Sequence, residues 1–160
     1  LAFQFDAPRR LLVIAPHRLE RREPTPHEGA QLARLERALA GFGELRAGRA
    51  GKLALGPAFL DNDDCLVAAS RTWLSRTPYQ VERHRKAGSA HEALTLDVVA
   101  ACRRRGLPTP LVTVPRVQAL SGRGLEGELL LRFPVAVAGP LLLGRSRYLG
   151  GGLFAAVGKT

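Results

Sequence analysis

The first patterned stretch of the chain is "RRLLVIAP" (9–16), an apolar run with a β-branched centre, closed by charge and proline; it predicts a strand. The charged, proline-marked loop "LERREPTP" follows. A helix start comes next: Thr25 stands at the N-cap, Pro26 at N1 and Glu28 at N3, which completes a capping box. Leu32, Leu35 and Leu39 recur at helical spacing, and Gly41 and Gly43 supply the stop. "ELRAGRAGKLALGP" reads as a hairpin or ragged strand pair with glycine turns, and "DNDDC" as a loop. The carboxylates of that loop lack the glycine and terminal glutamate of a calcium-binding hand.

The pattern then repeats. "LVAASRTWLSRTPYQ" predicts a strand ending at Pro78, and "VERHRKAG" a basic loop. Ser89 and Glu92 predict a second capping box. Its helix carries Leu94, Val98, Ala101 and Cys102 on one side, then Arg103, Arg104 and Arg105 near the C-terminal dipole, then Gly106. "LVTVPRVQAL" and "GELLLRFPVAVAGPLLLG" predict strands whose Pro115 and Pro134 mark edges or bulges, and "GGLFAAV" predicts the closing strand. Each half thus reads strand, helix, strand, strand. That order predicts an α+β fold of two tandem ferredoxin-like (RRM-like) units, residues 1–66 and 67–160, with antiparallel sheets and helices on one face.

Charge changes the picture more than composition does. The 160 residues, 46% hydrophobic, suit a globular protein, but 24 Lys+Arg against 14 Asp+Glu leave a net +10. Most of the cations are arginine, whose fork matches phosphate bidentately and stacks on bases, so nucleic acid is the expected partner. Cys65 and Cys102 are too few for a disulfide framework and lack metal-ligand spacing; Cys102 reads as a buried free thiol. No stretch approaches the roughly 20 apolar residues of a membrane span and no signal-peptide pattern is present, so the expected location is the cytoplasm and no membrane partner is expected. A start at Leu1 instead of Met predicts part of a longer polypeptide.

Two phosphate-loop signatures fail on context. "GRGLEG" (122–127) matches the dinucleotide fingerprint but precedes strand-like sequence, so it predicts a hairpin turn. The terminal "GKT" would need glycine at 153, which is Leu153. His17, His27, His84 and His91 show no i, i+4 pair, so no metal is expected; no cofactor is expected either. His84 lies among Arg83, Arg85 and Lys86, cations that disfavour the imidazolium and would hold a phosphate beside a neutral ring able to accept a proton. It reads equally as part of a solvated basic loop. His27, in the first turn of a capped helix, is the second candidate base. In "GPLLLGRSRYLGGGLFAAV", Arg145 and Arg147 read as a phosphate clamp and Tyr148 as a stacking ring. Gly150, Gly151 and Gly152 would let backbone N–H groups approach a phosphodiester chain. The alternative is a tight connection between core strands that needs glycine for positive φ.

The segments "TWLSRTPYQVERHRK", "RRRGLPTPLVTV" and "GPLLLGRSRYLGGGLF", in that order, resemble the repeat-associated RNA-binding superfamily of CRISPR systems. The resemblance is to the C-terminal, repeat-processing part of the fused handle-binding subunit of type I-G (formerly I-U) effectors. It covers about Trp73 to Phe154. It implies paired ferredoxin-like folds, binding of the CRISPR repeat hairpin and handle, and metal-independent cleavage by the ribose 2′-OH to a 2′,3′-cyclic phosphate. It also implies other effector subunits as partners, with target DNA reached indirectly through the complex. In these terms His84 is the base, Lys86 or Tyr148 a stabiliser or acid, and Arg83, Arg85, Arg145, Arg147 and Gly150–Gly152 the RNA-binding set. Many relatives carry the catalytic histidine on the first helix of the first unit, which points to His27. Some bind RNA without cutting it, which leaves a non-catalytic scaffold as the alternative.

Overall fold

Helix α3 (Ala90–Arg104) begins where the sequence places it: the Ser89 hydroxyl accepts the Glu92 amide at 3.1 Å. The expected reciprocal bond is different. The Glu92 carboxylate takes the amide of Gly88 at 2.8 Å, one residue before the cap. The computed structural model describes residues 2–6, 10–46, 48–56, 58–82, 88–121 and 124–158. Leu94, Val98, Ala101 and Cys102 of α3 have no solvent exposure and form the inner stripe that the spacing predicts.

That stripe packs on a sheet of six strands: β5 (Ala69–Ser75), β6 (Tyr79–Gln80), β7 (Leu111–Leu120), β8 (Gly124–Ala138), β9 (Leu141–Leu142) and β10 (Leu153–Ala156). Strand β8 is the spine. One edge pairs with β7 from Leu111↔Arg132 to Leu120↔Gly124, and the other pairs with β5 and then β6. Strand β10 pairs with the far side of β5 and is itself bordered by β9. The order is therefore β7-β8-β5-β10-β9, every hydrogen-bonded pair antiparallel. The chain leaves β5 and β6, crosses through α3, and returns in β7 with β8 between, a split βαβ arrangement.

Both strand prolines lie where the ladder slips. The β7–β8 register shifts between Thr113 and Arg116, around Pro115. The β5–β8 register shifts between Ser70 and Thr72, opposite the β8 stretch from Arg132 to Val137 that contains Pro134. Proline has no N–H to give the ladder, so a bulge accommodates it. Of "GRGLEG", residues 122 and 123 lie outside the described residues, and Gly124 opens β8 opposite Leu120 of β7. The core joins Leu94, Val98 and Cys102 to Trp73, Leu129, Leu131, Phe133 and Phe154. Each large apolar side chain so buried contributes about 1.5–3 kcal/mol. At Gly127 a Cβ would lie 2.8 Å from Leu94 Cδ1, so glycine lets the helix rest on β8.

The compact units divide at 21/22 and 61/62 and not at 66/67. Leu1–Arg21 groups with Asn62–Thr160, and Arg22–Asp61 forms the other unit. The larger unit also contains the antiparallel pair β1 (Ala2–Asp6) and β2 (Arg10–Ile14), followed by α1 (Pro16–Leu19). Here Arg10 pairs with Asp64 of the "DNDDC" turn, whose carboxylate also caps the Leu66 amide at 2.9 Å. Burial raises the Asp64 pKa, but these bonds outweigh it and hold the carboxyl below its usual range.

The smaller unit contains α2 (Pro26–Ala40) and the hairpin β3 (Glu44–Arg46) with β4 (Lys52–Ala54). The Thr25–Glu28 capping box is complete in both directions. Arg22 grips the same carboxylate, so bonds from Arg22 and Thr25 hold Glu28 far below its usual pKa. Leu32, Leu35 and Leu39 occupy one face of α2 but are only half-buried, and α2 buries no residue fully. One helix and a two-stranded hairpin have too little surface to enclose a core.

Candidate nucleic-acid interface

The turn between β9 and β10 is built by close backbone approach. Gly144, at φ +95°, crosses directly over β6: a Cβ there would lie 2.7 Å from the Gln80 carbonyl oxygen and 3.1 Å from the Tyr79 ring. The next amide, of Arg145, donates to that same Gln80 oxygen at 3.0 Å. Leu149 and Gly151 donate to the Ser146 oxygen, Gly152 donates to Pro78, and Leu143 donates to Gly152. Gly150 and Gly152 have φ of +92° and +65°, whereas Gly151 does not enter the left-handed region. Gly151 is instead required by contact, since a Cβ would lie 2.8 Å from Ser146 Cβ and nearer still to its hydroxyl.

The three glycines therefore have separate structural roles. The amides of Gly151 and Gly152 are engaged inside the fold, so the expectation that they meet a phosphodiester backbone does not hold for these two. What the turn presents outward is its side chains. Arg145 is exposed and has no partner among the described residues, and Leu149 is 88% exposed at the tip. Arg147 lies 4.5 Å above the Tyr148 ring, a cation–π stack that occupies one face of that ring. The Tyr148 hydroxyl reaches Glu20 Oε1, just past α1, at 3.5 Å.

Glu82, the last described residue before the basic segment, gathers three arginines. Arg104 and Arg105, from the C-terminal end of α3, bind its two carboxylate oxygens, Arg105 at 2.9 Å. Arg147, from the turn, donates to Oε1 at 3.4 Å and to the Gly144 carbonyl at 3.2 Å. Burial raises the Glu82 pKa, but the Arg105 and Arg104 bonds and charges outweigh it and leave it depressed. Behind this cluster Asp97 is fully buried, accepting from the Tyr79 hydroxyl at 2.6 Å and the Glu82 amide at 2.7 Å. Burial first, and the hydrogen bond to Asp97 second, push the Tyr79 phenol well above its ordinary range.

Of the residues singled out in the sequence, Arg83, His84, Arg85 and Lys86 lie outside the described residues. Arg145, Arg147, Tyr148 and Gly150–Gly152 share one turn. His27 belongs to the smaller unit, exposed in the first turn of α2, where its Nε2 pairs with Gln31 at 2.9 Å. Sequence reasoning did not anticipate Glu82, although a lone carboxylate in "VERHRK" was a signal, nor Arg76. Arg76 is exposed and its amide bonds Leu153, directly after the three glycines.

The open sheet face has different chemistry. Glu126 accepts from Gln80 and Gln118, Glu128 faces Arg116 at 3.9 Å, and Pro78, Arg116, Gln118, Glu126 and Glu128 line a depression. Trp73, Tyr79, Phe133 and Phe154, the sheet aromatics, are all buried. On the six-stranded sheet an RRM-type platform of bases stacked on strand aromatics therefore has no exposed ring to use among the described residues. Cationic excess is concentrated in the larger unit. In the smaller one Arg22, Arg34, Arg37, Arg46, Arg49 and Lys52 are nearly balanced by Glu23, Glu28, Glu36, Glu44 and Asp61.

Among the described residues no three His, Cys, Asp or Glu side chains are grouped to hold a metal ion, and no helix is long and apolar enough to cross a membrane. Comparison with protein-family models, curated proteins and solved structures found no match.

Proposed function

We propose that this chain is an RNA-binding subunit of a CRISPR effector complex, gripping repeat-derived RNA at the glycine turn and the basic segment after Glu82. The observation that carries the reading is the Arg147–Glu82 contact, which joins the turn to the residue from which "RHRK" departs. The glycine turn and Glu82 thereby meet at one corner of the sheet. The strand order β7-β8-β5-β10 with α3 as crossover supports a ferredoxin-like unit in which the glycine turn occupies the place of a second helix. A tandem arrangement makes the first half of the chain the second such unit. Its partners are the repeat hairpin and handle and the other effector subunits, with target DNA met through the complex in the cytoplasm.

On this reading the chain processes the repeat without metal. His84 removes the 2′-OH proton, the alkoxide attacks the adjacent phosphate, and Lys86 or Tyr148 stabilises the charge or protonates the departing 5′-oxygen. The scaffold alternative draws on one observation: the turn contains Ser146 and Tyr148 and no histidine, and His27 is on the other compact unit.

Incubation of purified protein with labelled repeat RNA in EDTA tests both. A cyclic-phosphate product that slows roughly 10²- to 10⁴-fold in His84→Ala, with affinity retained, identifies the nuclease and its base. Loss in His27→Ala instead moves the base to the smaller unit. Tight binding without cleavage leaves the scaffold, and a preference for duplex DNA over the repeat hairpin overturns both.

A further inference from the structure

Three guanidiniums from two elements converge on one carboxylate at Glu82, whereas Lys52–Glu44 and Arg116–Glu128 pair one cation with one anion. The Glu82 side chain is 17% exposed and those of Arg105, Arg147 and Arg104 are 13%, 25% and 38% exposed. The cluster is therefore partly desolvated, yet open on the Arg104 and Arg147 side. Guanidinium forks donate to carboxylate and phosphate with the same geometry, so an arrangement that holds one also suits the other. The three contacts are unequal. Arg105 binds at 2.9 Å from the same element as Arg104, while Arg147 reaches across at 3.4 Å from a turn whose neighbour, Arg145, is free among the described residues.

We infer that Glu82 is a built-in competitor for RNA: its carboxylate occupies Arg147 in the free protein, and a backbone phosphate bridging Arg145 and Arg147 displaces it. The inference rests on the RNA-binding reading and adds to it a residue that sets selectivity. A phosphate that meets Arg147 alone must replace an existing ion pair. One that also meets Arg145 gains an unopposed contact, so Glu82 favours RNA whose backbone follows the turn over any loosely bound polyanion. Glu82 acts through Arg147 and is a positioning residue. Arg104 and Arg105 stay with it when Arg147 leaves.

The test is repeat-RNA binding by wild type, Glu82→Gln, Glu82→Asp, Arg147→Ala and the double variant Glu82→Gln/Arg147→Ala, each first checked for a native thermal melt. Glu82→Gln is expected to tighten binding about two- to fivefold, the effect of losing one long, weak ion pair. Glu82→Asp, which keeps the charge but shortens the side chain by one methylene and so lengthens the Arg147 contact that is already the longest of the three, is expected to tighten binding in the same direction. It also remains informative if the glutamine variant fails to fold. Glu128→Gln removes an equal charge from the open sheet face and serves as control, with less than a twofold change expected. In the Arg147→Ala background the gain from Glu82→Gln is expected to vanish. Unchanged or weaker binding in both Glu82 variants, or a gain that persists without Arg147, overturns the inference while leaving RNA binding intact. No binding by the wild type instead removes the functional reading itself.

Discussion

Replacing Gly152 with alanine separates two reasons for glycine in this turn. At φ +65° an L-residue is disfavoured by about 1–2 kcal/mol relative to glycine. Gly152 also faces the backbone of Leu143: a Cβ would lie 2.9 Å from its carbonyl carbon, nearer to its oxygen and 3.5 Å from its nitrogen. Those atoms belong to a segment fixed by the Leu143 N–H bond to the Gly152 oxygen at 2.9 Å, so no side-chain rotation relieves the clash. Overpacking adds about 1–3 kcal/mol, and parting a buried backbone pair adds about 1–3 kcal/mol more. The expected loss is about 3–8 kcal/mol, which for a chain of this length lowers Tm by roughly 6–30 °C. Gly106, at φ +66°, is the internal control, because a Cβ there would meet nothing within 4 Å. Gly106→Ala should lower stability by only about 1–2 kcal/mol, the conformational part alone. Urea and thermal melts of both variants decide the matter. Equal losses would mean that the turn does not approach Leu143 as closely as described.

Other consequences are checked independently. Arg145→Ala is expected to lower the slope of log affinity against log salt by about one in an RNA titration, because its free guanidinium supplies one phosphate contact; an unchanged slope removes that contact. Cys102 has no exposure and burial raises its thiol pKa to about 12, so at pH 8 a thiol reagent should titrate half-buried Cys65 promptly and Cys102 only upon unfolding. Tyr79→Phe leaves buried Asp97 without its 2.6 Å donor, with an expected loss of about 1–3 kcal/mol in a denaturant melt. Glu82 is depressed in the folded state, so its stabilisation is present above the ordinary carboxyl pKa of about 4.3 and is lost as pH falls through the folded value. The Tm difference between wild type and Glu82→Gln should accordingly shrink from pH 6 to pH 3; a constant difference would show that the carboxylate's charge is not what matters.

What the sequence discloses here is what is decided within a few residues. The Thr25–Glu28 box, the buried stripe of α3, the bulges at Pro115 and Pro134 and the β7–β8 hairpin all follow from side-chain chemistry at short range. Glu82 is different. Its partners stand 22, 23 and 65 residues away, and only the packing of α3 and the turn on β6 brings them together. The glycine run was visible as unusual, but its division into left-handed positions at 150 and 152 and a contact position at 151 depends on what lies opposite each. The leucines of α2 show the converse limit, since periodicity marks the apolar face without supplying anything to cover it.

Strand β10 lies inside the sheet, between β5 and β9, although in chain order it comes after the other strands of that sheet. During synthesis every other strand of this sheet leaves the ribosome before it does, so until then β5 has an unpaired inner edge and Trp73 an incomplete cover. The same late segment anchors the glycine turn, through Gly152 to Pro78 and Leu143 and through Leu153 to Thr77. A nascent chain therefore cannot present a finished turn ahead of a finished sheet, and premature termination anywhere before Leu153 disables both at once.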